Sequence, residues 1–229
     1  MMHVTGQVIC QTDTGPVVRA RYCEHDQNAP TLLSGTGMTY STKYSGTVAV
    51  DPPLNEHEIA YLRRFANSRR MHVDCGPYLC EEPEGEGDGE PNVLDYNWPG
   101  PEQPGLWCRW EPTENGRGIR WDRTENFYYG ERWMAFLIRT FLAPGAKLAG
   151  ELAAPIEGRH YAPEFEHFTF DHVVNGRIRA RSVEDPHIAW QLVVTDGEVF
   201  LHYDGKEPEP VTDTGPDPVA YPPTRSAHA

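Results

Sequence analysis

Leu106-Trp107-Cys108-Arg109-Trp110, the turn Glu114-Asn115-Gly116, the return Gly118-Ile119-Arg120-Trp121 and the run ERWMAFLIRTFL from Glu131 to Leu142 decide how this chain folds. Alternation puts Leu106, Cys108 and Trp110 on one face of a strand, and Trp107 and Arg109 on the other. Asn-Gly is a strong hairpin turn. Trp133, Met134, Leu137, Ile138 and Phe141 then recur at helical spacing, flanked by Phe136 and Leu142. This predicts a hairpin running into a helix that Pro144-Gly145 ends. A helix this apolar needs a sheet to lie against. Trp133, Leu137 and Phe141 should point together at a surface built by Val48, Val50, Ile178 and Val193.

Upstream, Tyr44, Val48 and Val50 alternate, which predicts a strand over 40–50. Pro52-Pro53 ends it, because proline donates nothing to a ladder. Asn55 and Glu58 have the spacing of a capping box, and Leu54 and Ile59 that of a hydrophobic staple. Ile59, Leu62, Phe65 and Ala66 continue the helix to about Asn67 or Ser68. From 71 to 103 no periodicity survives. Glu81, Glu82, Glu84, Glu86, Asp88 and Glu90 alternate with Gly and Pro, a composition that cannot offset ordering entropy.

Downstream, Phe168, Phe170, His172 and Val174 alternate. Asn175-Gly176 reads as a turn, with Ile178 and Ala180 on the return. A second hairpin, 188–194 with 199–203, closes through Asp196-Gly197. The order gives an α+β fold: a mainly antiparallel sheet with two helices on one face, a βαββαβ-like core plus extra hairpins. Three parts result: an N-terminal arm over 1–37, a domain over 38–204 with a mobile acidic loop at 76–103, and a Pro-rich disordered tail over 205–229. Either Met38 is an alternative translation start and the arm is dispensable, or the arm is an extension that packs as an extra strand.

The 229 residues carry a formal net charge of -14. Such a charge repels nucleic-acid backbone, so direct nucleic-acid binding is not expected. No apolar run is long enough to span a bilayer. No basic and apolar leader opens the sequence. Five cysteines, an odd number, suit reduced thiols in the cytoplasm.

Catalytic and metal motifs fail one by one. His57-Glu58 lacks the second histidine of a zinc-protease helix, since Tyr61 occupies that place. His72, Cys75, Cys80 and Cys108 have zinc-type chemistry but loose spacing, as do Cys10, Cys23 and His25. The reading is therefore no metal and no cofactor. No nucleophile elbow, P-loop or dinucleotide fingerprint is present. His167, Asp171, His172 and Glu184 could serve a small hydrolase or ligand-binding enzyme only if they converge in a pocket. The acidic run could alternatively make the chain a nucleic-acid-mimic decoy for basic proteins. The favoured reading is a non-catalytic protein that binds another protein. Its candidates are the aromatics Trp98, Trp107 and Tyr129, and the row Arg177, Arg179 and Arg181. That row lines one strand face and could bind an anion, a phosphate or an acidic partner, although pairing with the chain's own acidic loop is the favoured reading of the row.

The middle of the chain resembles a group of small proteins of actinobacteria and their phages. The shared pattern is Pro52-Pro53-Leu54 opening a helix, Leu-Trp-Cys-x-Trp-x-Pro over 106–112 and Glu-x-Phe-Tyr over 125–128. The helix over 133–142 and Trp-x-Leu-Val-Val over 190–194 complete it. The resemblance covers about 40–203. It implies an actinobacterial or phage context and assigns no activity or catalytic residue.

Overall fold

The structure, a computed structural model, describes residues 42–80, 93–125, 127–183 and 185–211. The arm over 1–37, the acidic run 81–90 and the tail beyond 211 lie outside the described residues. Strands β1 (Thr42–Ser45) and β2 (Thr47–Asp51) form one extended stretch that bends at Gly46. Both pair antiparallel with β7 (Val173–Ser182), and the register is unbroken across the bend. Gly46 sits at φ +122, where a Cβ would come within 3.2 Å of the Arg177 carbonyl oxygen.

Helix α1 (Glu56–Asn67) starts as the sequence indicates. Asn55 accepts from the backbone N–H groups of His57 and Glu58, and Glu58 accepts from the Asn55 N–H. Segment 71–103 holds more structure than its composition suggests. β3 (Met71–Val73) pairs with β4 (Val93–Pro99) in a separate two-stranded sheet. Tyr78 and Gln103 are buried, so both flanks of the expected mobile loop belong to the domain.

The central hairpin is β5 (Trp110–Pro112) and β6 (Gly118–Trp121), with Trp110 opposite Trp121. Helix α2 (Gly130–Leu137) follows and widens into a π-helical turn over Ile138–Leu142. Widening accommodates residues that are buried on almost every side: only Arg139 in 133–142 escapes the core. A third helix, α3 (Lys147–Ala153), and a 3-10 turn at Pro163–His167 were not legible in the Pro-interrupted sequence.

Strands β8 (Ala189–Thr195), β9 (Glu198–His202) and β10 (Glu209–Pro210) complete an eight-stranded sheet ordered β10-β9-β8-β7-β2-β6-β5, with β1 also on β7. The fold is α+β, with every strand pairing in it antiparallel. The chain does not stop contributing at Gly205, since β10 pairs with β9 and Val211 is buried.

Two readings of the sheet need correction. Asn175-Gly176 is no turn: it lies inside β7, opposite Ala49 and Val48. Gly176, at φ +142, lets β2 approach, since a Cβ there would lie 3.1 Å from the Val48 Cα. Residues 168–172 are a connector rather than the first arm of a hairpin. Val193 also faces away from the core. Leu192 and Val194 point inward, because the Asp196-Gly197 turn fixes the parity of β8.

The core is an aromatic cluster between α1, the π turn and the 163–168 segment. Phe141 lies 5.4 Å from Tyr61, 5.3 Å from Phe65 and 5.8 Å from Tyr78, ring centre to ring centre. All four are fully buried. Phe141→Ala should therefore cost about 3–5 kcal/mol, while Leu94→Ala, at an exposed strand position, should stay within about 0.5 kcal/mol of wild type. Denaturant melts of the two variants check this.

Candidate interaction surface

Strand alternation divides the large sheet into two faces. Tyr44, Val48, Val50, Val174, Ile178, Ala180, Leu192, Val194 and Val199 face the helices and are buried. The opposite face is covered by no described element. Arg177, Arg179 and Arg181 stand exposed on it along β7. Register places Lys43 opposite Arg181, Ser45 and Gln191 opposite Arg179, and Val193 opposite Arg177. One strand further, His202 is opposite Gln191 and Phe200 opposite Val193. Arg120 on β6 joins the same face opposite Thr47.

The result is a basic patch on an acidic chain. Arg120 is paired with Glu111 at 3.1 Å. None of Arg177, Arg179, Arg181 and Lys43 makes an ion pair with a described carboxylate. Pairing of the arginine row with the chain's own acidic loop falls on 81–90, outside the described residues. Sequence alternation found the arginines. It did not find Lys43, Gln191, Phe200 or His202, which join them only through strand register.

The aromatic candidates divide. Tyr129 is buried, only 5% exposed, in a left-handed conformation at the start of α2, and cannot be a surface anchor. Trp98 is half-buried on β4. Trp107 is half-buried beneath Arg109, whose guanidinium lies 4.3 Å from the ring centre. Arg69 bridges Trp107 at 5.9 Å and Tyr96 at 4.4 Å. Tyr96 and Leu94, each more than half exposed, extend this small patch and were missed from sequence.

The residues considered for hydrolysis partly converge, but into a structural knot. Glu58 is 0% exposed and His172 only 1%. One carboxylate oxygen of Glu58 closes the helix cap. The other accepts from the Thr169 N–H at 2.8 Å and lies 3.1 Å from His172 Nε2. His172 Nδ1 donates to the Pro52 carbonyl at 2.7 Å. The Thr169 hydroxyl lies 3.0 Å from His172 Nε2 and 2.6 Å from Asp171. Nδ1 is committed to the Pro52 carbonyl and Nε2 faces the Glu58 carboxylate, so both ring nitrogens already have fixed partners, and the ring is buried away from any substrate. His167 instead stacks on His57, ring centres 4.0 Å apart, and the Glu184 side chain lies outside the described residues.

Burial pushes the Glu58 carboxyl up, but the His172 hydrogen bond and the Thr169 and Asn55 N–H groups outweigh it and hold the group below its ordinary 4.5. Burial pulls His172 down, but its hydrogen bonds to Glu58 and the Pro52 carbonyl outweigh it and hold the group above its ordinary 6.5.

A shallow cleft of about 150 Å³ is lined by His72, Asp74, Glu102, Gln103 and Arg159. Its one strong cation is already engaged: Arg159 reaches Glu102 and Glu151, each at 2.7 Å. Among the described residues no group of three or more His, Cys, Asp and Glu side chains could hold a metal ion. Cys108 is fully buried, which pushes its thiol up to about 12. No helix among the described residues is long and apolar enough to cross a membrane. No protein-family description, curated protein or solved structure matches the chain.

The knot sets a pH dependence. The His172 contribution to stability is complete below 6.5 and is lost as pH rises through its elevated folded value. The Glu58 contribution is complete above 4.5 and is lost as pH falls through its depressed folded value. Melting temperature should therefore hold best between these limits, and Glu58→Gln should flatten the profile. Glu58→Ala removes the buried carboxylate partner of His172 and the helix cap together and should cost about 3–5 kcal/mol. Thermal melts across pH measure both.

Proposed function

We propose that this chain is a non-catalytic binding protein that engages another protein through the outer face of its large sheet. One observation carries the reading: Arg177, Arg179 and Arg181 stand in a row on an uncovered face with no described carboxylate neutralising them. Long arginines on a wet sheet face are soluble, so they need no partner for folding. They do give the face a charge opposite to that of the whole chain. Val193 and Phe200, both partly exposed beside the row, add apolar area of the kind that anchors an interface. The burial of His172, with fixed partners on both ring nitrogens, supports a binding role over a hydrolytic one.

The resemblance of 40–203 to small actinobacterial and phage proteins supports an accessory role in that setting. Free thiols at Cys75, Cys80 and Cys108 support a reducing, cytoplasmic location.

The test places a photo-cross-linking residue at Gln191, within the patch, in cells that make the protein. A defined cross-linked species should form, and the combined R177E, R179E and R181E changes should abolish it. The triple variant should melt within about 1 kcal/mol of wild type, because exposed charges contribute little to folding. A cross-link unaffected by charge reversal sinks this reading.

A further inference from the structure

We infer that the outer sheet face recognises an extended acidic segment of a partner protein, one with carboxylates at alternate residues; this rests on the binding reading above. Alternate residues of a strand project on the same side about 6.8 Å apart. Arg177, Arg179 and Arg181 follow that spacing along β7, separated by the inward Ile178 and Ala180. A second extended chain laid along β7 repeats at the same pitch. Its carboxylates at i, i+2 and i+4 then meet the guanidinium groups one to one, each able to form a two-pronged pair. Helical acidic segments present their same-face charges about 5–6 Å apart, a shorter pitch that falls out of step along the row.

The surroundings favour the same occupant. Lys43 opposite Arg181 extends the positive end. Ser45 and Gln191 flank Arg179 on both sides and can bond to a backbone or a carboxylate. Val193 and Phe200 lie beside Arg177 in register, where they offer an apolar seat for one larger side chain. Of the described acids on this face, Glu111 is held by Arg120 and Glu198 by Arg139, and Asp51 sits at the far end of β2. A single-stranded nucleic acid also carries evenly spaced negative charge, but proteins that bind it supply several aromatic platforms. Among the described residues this face offers only the Phe200 ring and the His202 imidazole. The net charge of -14 also repels a long polyanion more than a short acidic segment.

The chain carries acids at alternate positions itself, at Glu82, Glu84, Glu86, Asp88 and Glu90. Binding must therefore be measured both on the native chain and on a variant neutralised there (E82Q, E84Q, E86Q, D88N, E90Q). The probes are short fluorescent peptides: one alternates glutamate with glycine, one has the same composition with its glutamates contiguous. A thymidine oligonucleotide of equal charge is the third.

The alternating peptide should bind the neutralised variant, and the R177E, R179E and R181E changes together should weaken it about tenfold or more. The contiguous peptide should bind several-fold more weakly. Equal binding of both peptides, tighter binding of the oligonucleotide, or no peptide binding to the neutralised variant overturns the inference. In each of those cases a Gln191 cross-link that charge reversal abolishes leaves the broader binding reading standing. Loss of that cross-link's charge sensitivity removes both.

Discussion

A single buried carboxylate joins the parts of this fold. Glu58 closes the cap of α1 with one oxygen and holds the connector before β7 with the other. Its partner His172 reaches back to the Pro52 carbonyl at the end of β2. The His172 backbone N–H also donates to the Leu142 carbonyl, at the end of the π turn. The helix start, two strand ends and the central apolar helix thus meet around one ion pair. Each charge there would be costly alone, and the hydrogen bonds that fill their remaining sites make the pair tolerable.

That junction also separates the two sides of the protein. Inward from it lies the aromatic cluster around Phe141, where mostly edge-on rings fill the space between α1 and the 163–168 segment. Outward lies a sheet face whose residues bury little and are therefore free to carry charge. Folding is concentrated on one side of the sheet, and the binding we propose falls on the other. The same histidine that looked like a catalytic candidate belongs to the folding side, because it is buried and both ring nitrogens have fixed partners.

Local signals were legible wherever local geometry decides the outcome. Asn55 and Glu58 gave the helix start because a capping box closes within four residues. Asn115-Gly116 and Asp196-Gly197 gave hairpins, and the alternation in β7 gave the arginine row. The same dipeptide logic failed at Asn175-Gly176. There the glycine admits the backbone of β2, and the Asn175 side chain accepts from the Asp196 N–H at 2.7 Å. A strand crossing and a turn ask for the same residues, and only the neighbours tell them apart. Tyr129 failed for a related reason: tyrosine suits both interfaces and cores, and its burial here is set by packing at the start of α2.

The sequence by itself determined the fold class, the capped first helix, the apolar second helix and which β7 residues share a face, since each follows from spacing along one segment. Tertiary structure alone decided that Glu58 and Thr169, 111 residues apart, share a bond, that Val193 faces out, and that Lys43, Gln191 and Phe200 stand beside the arginines. Those facts depend on register between strands distant in sequence, and on burial that no single segment can specify. The charge of the whole chain is a sum over residues and is legible at once. Where the opposite charge gathers is a property of the sheet.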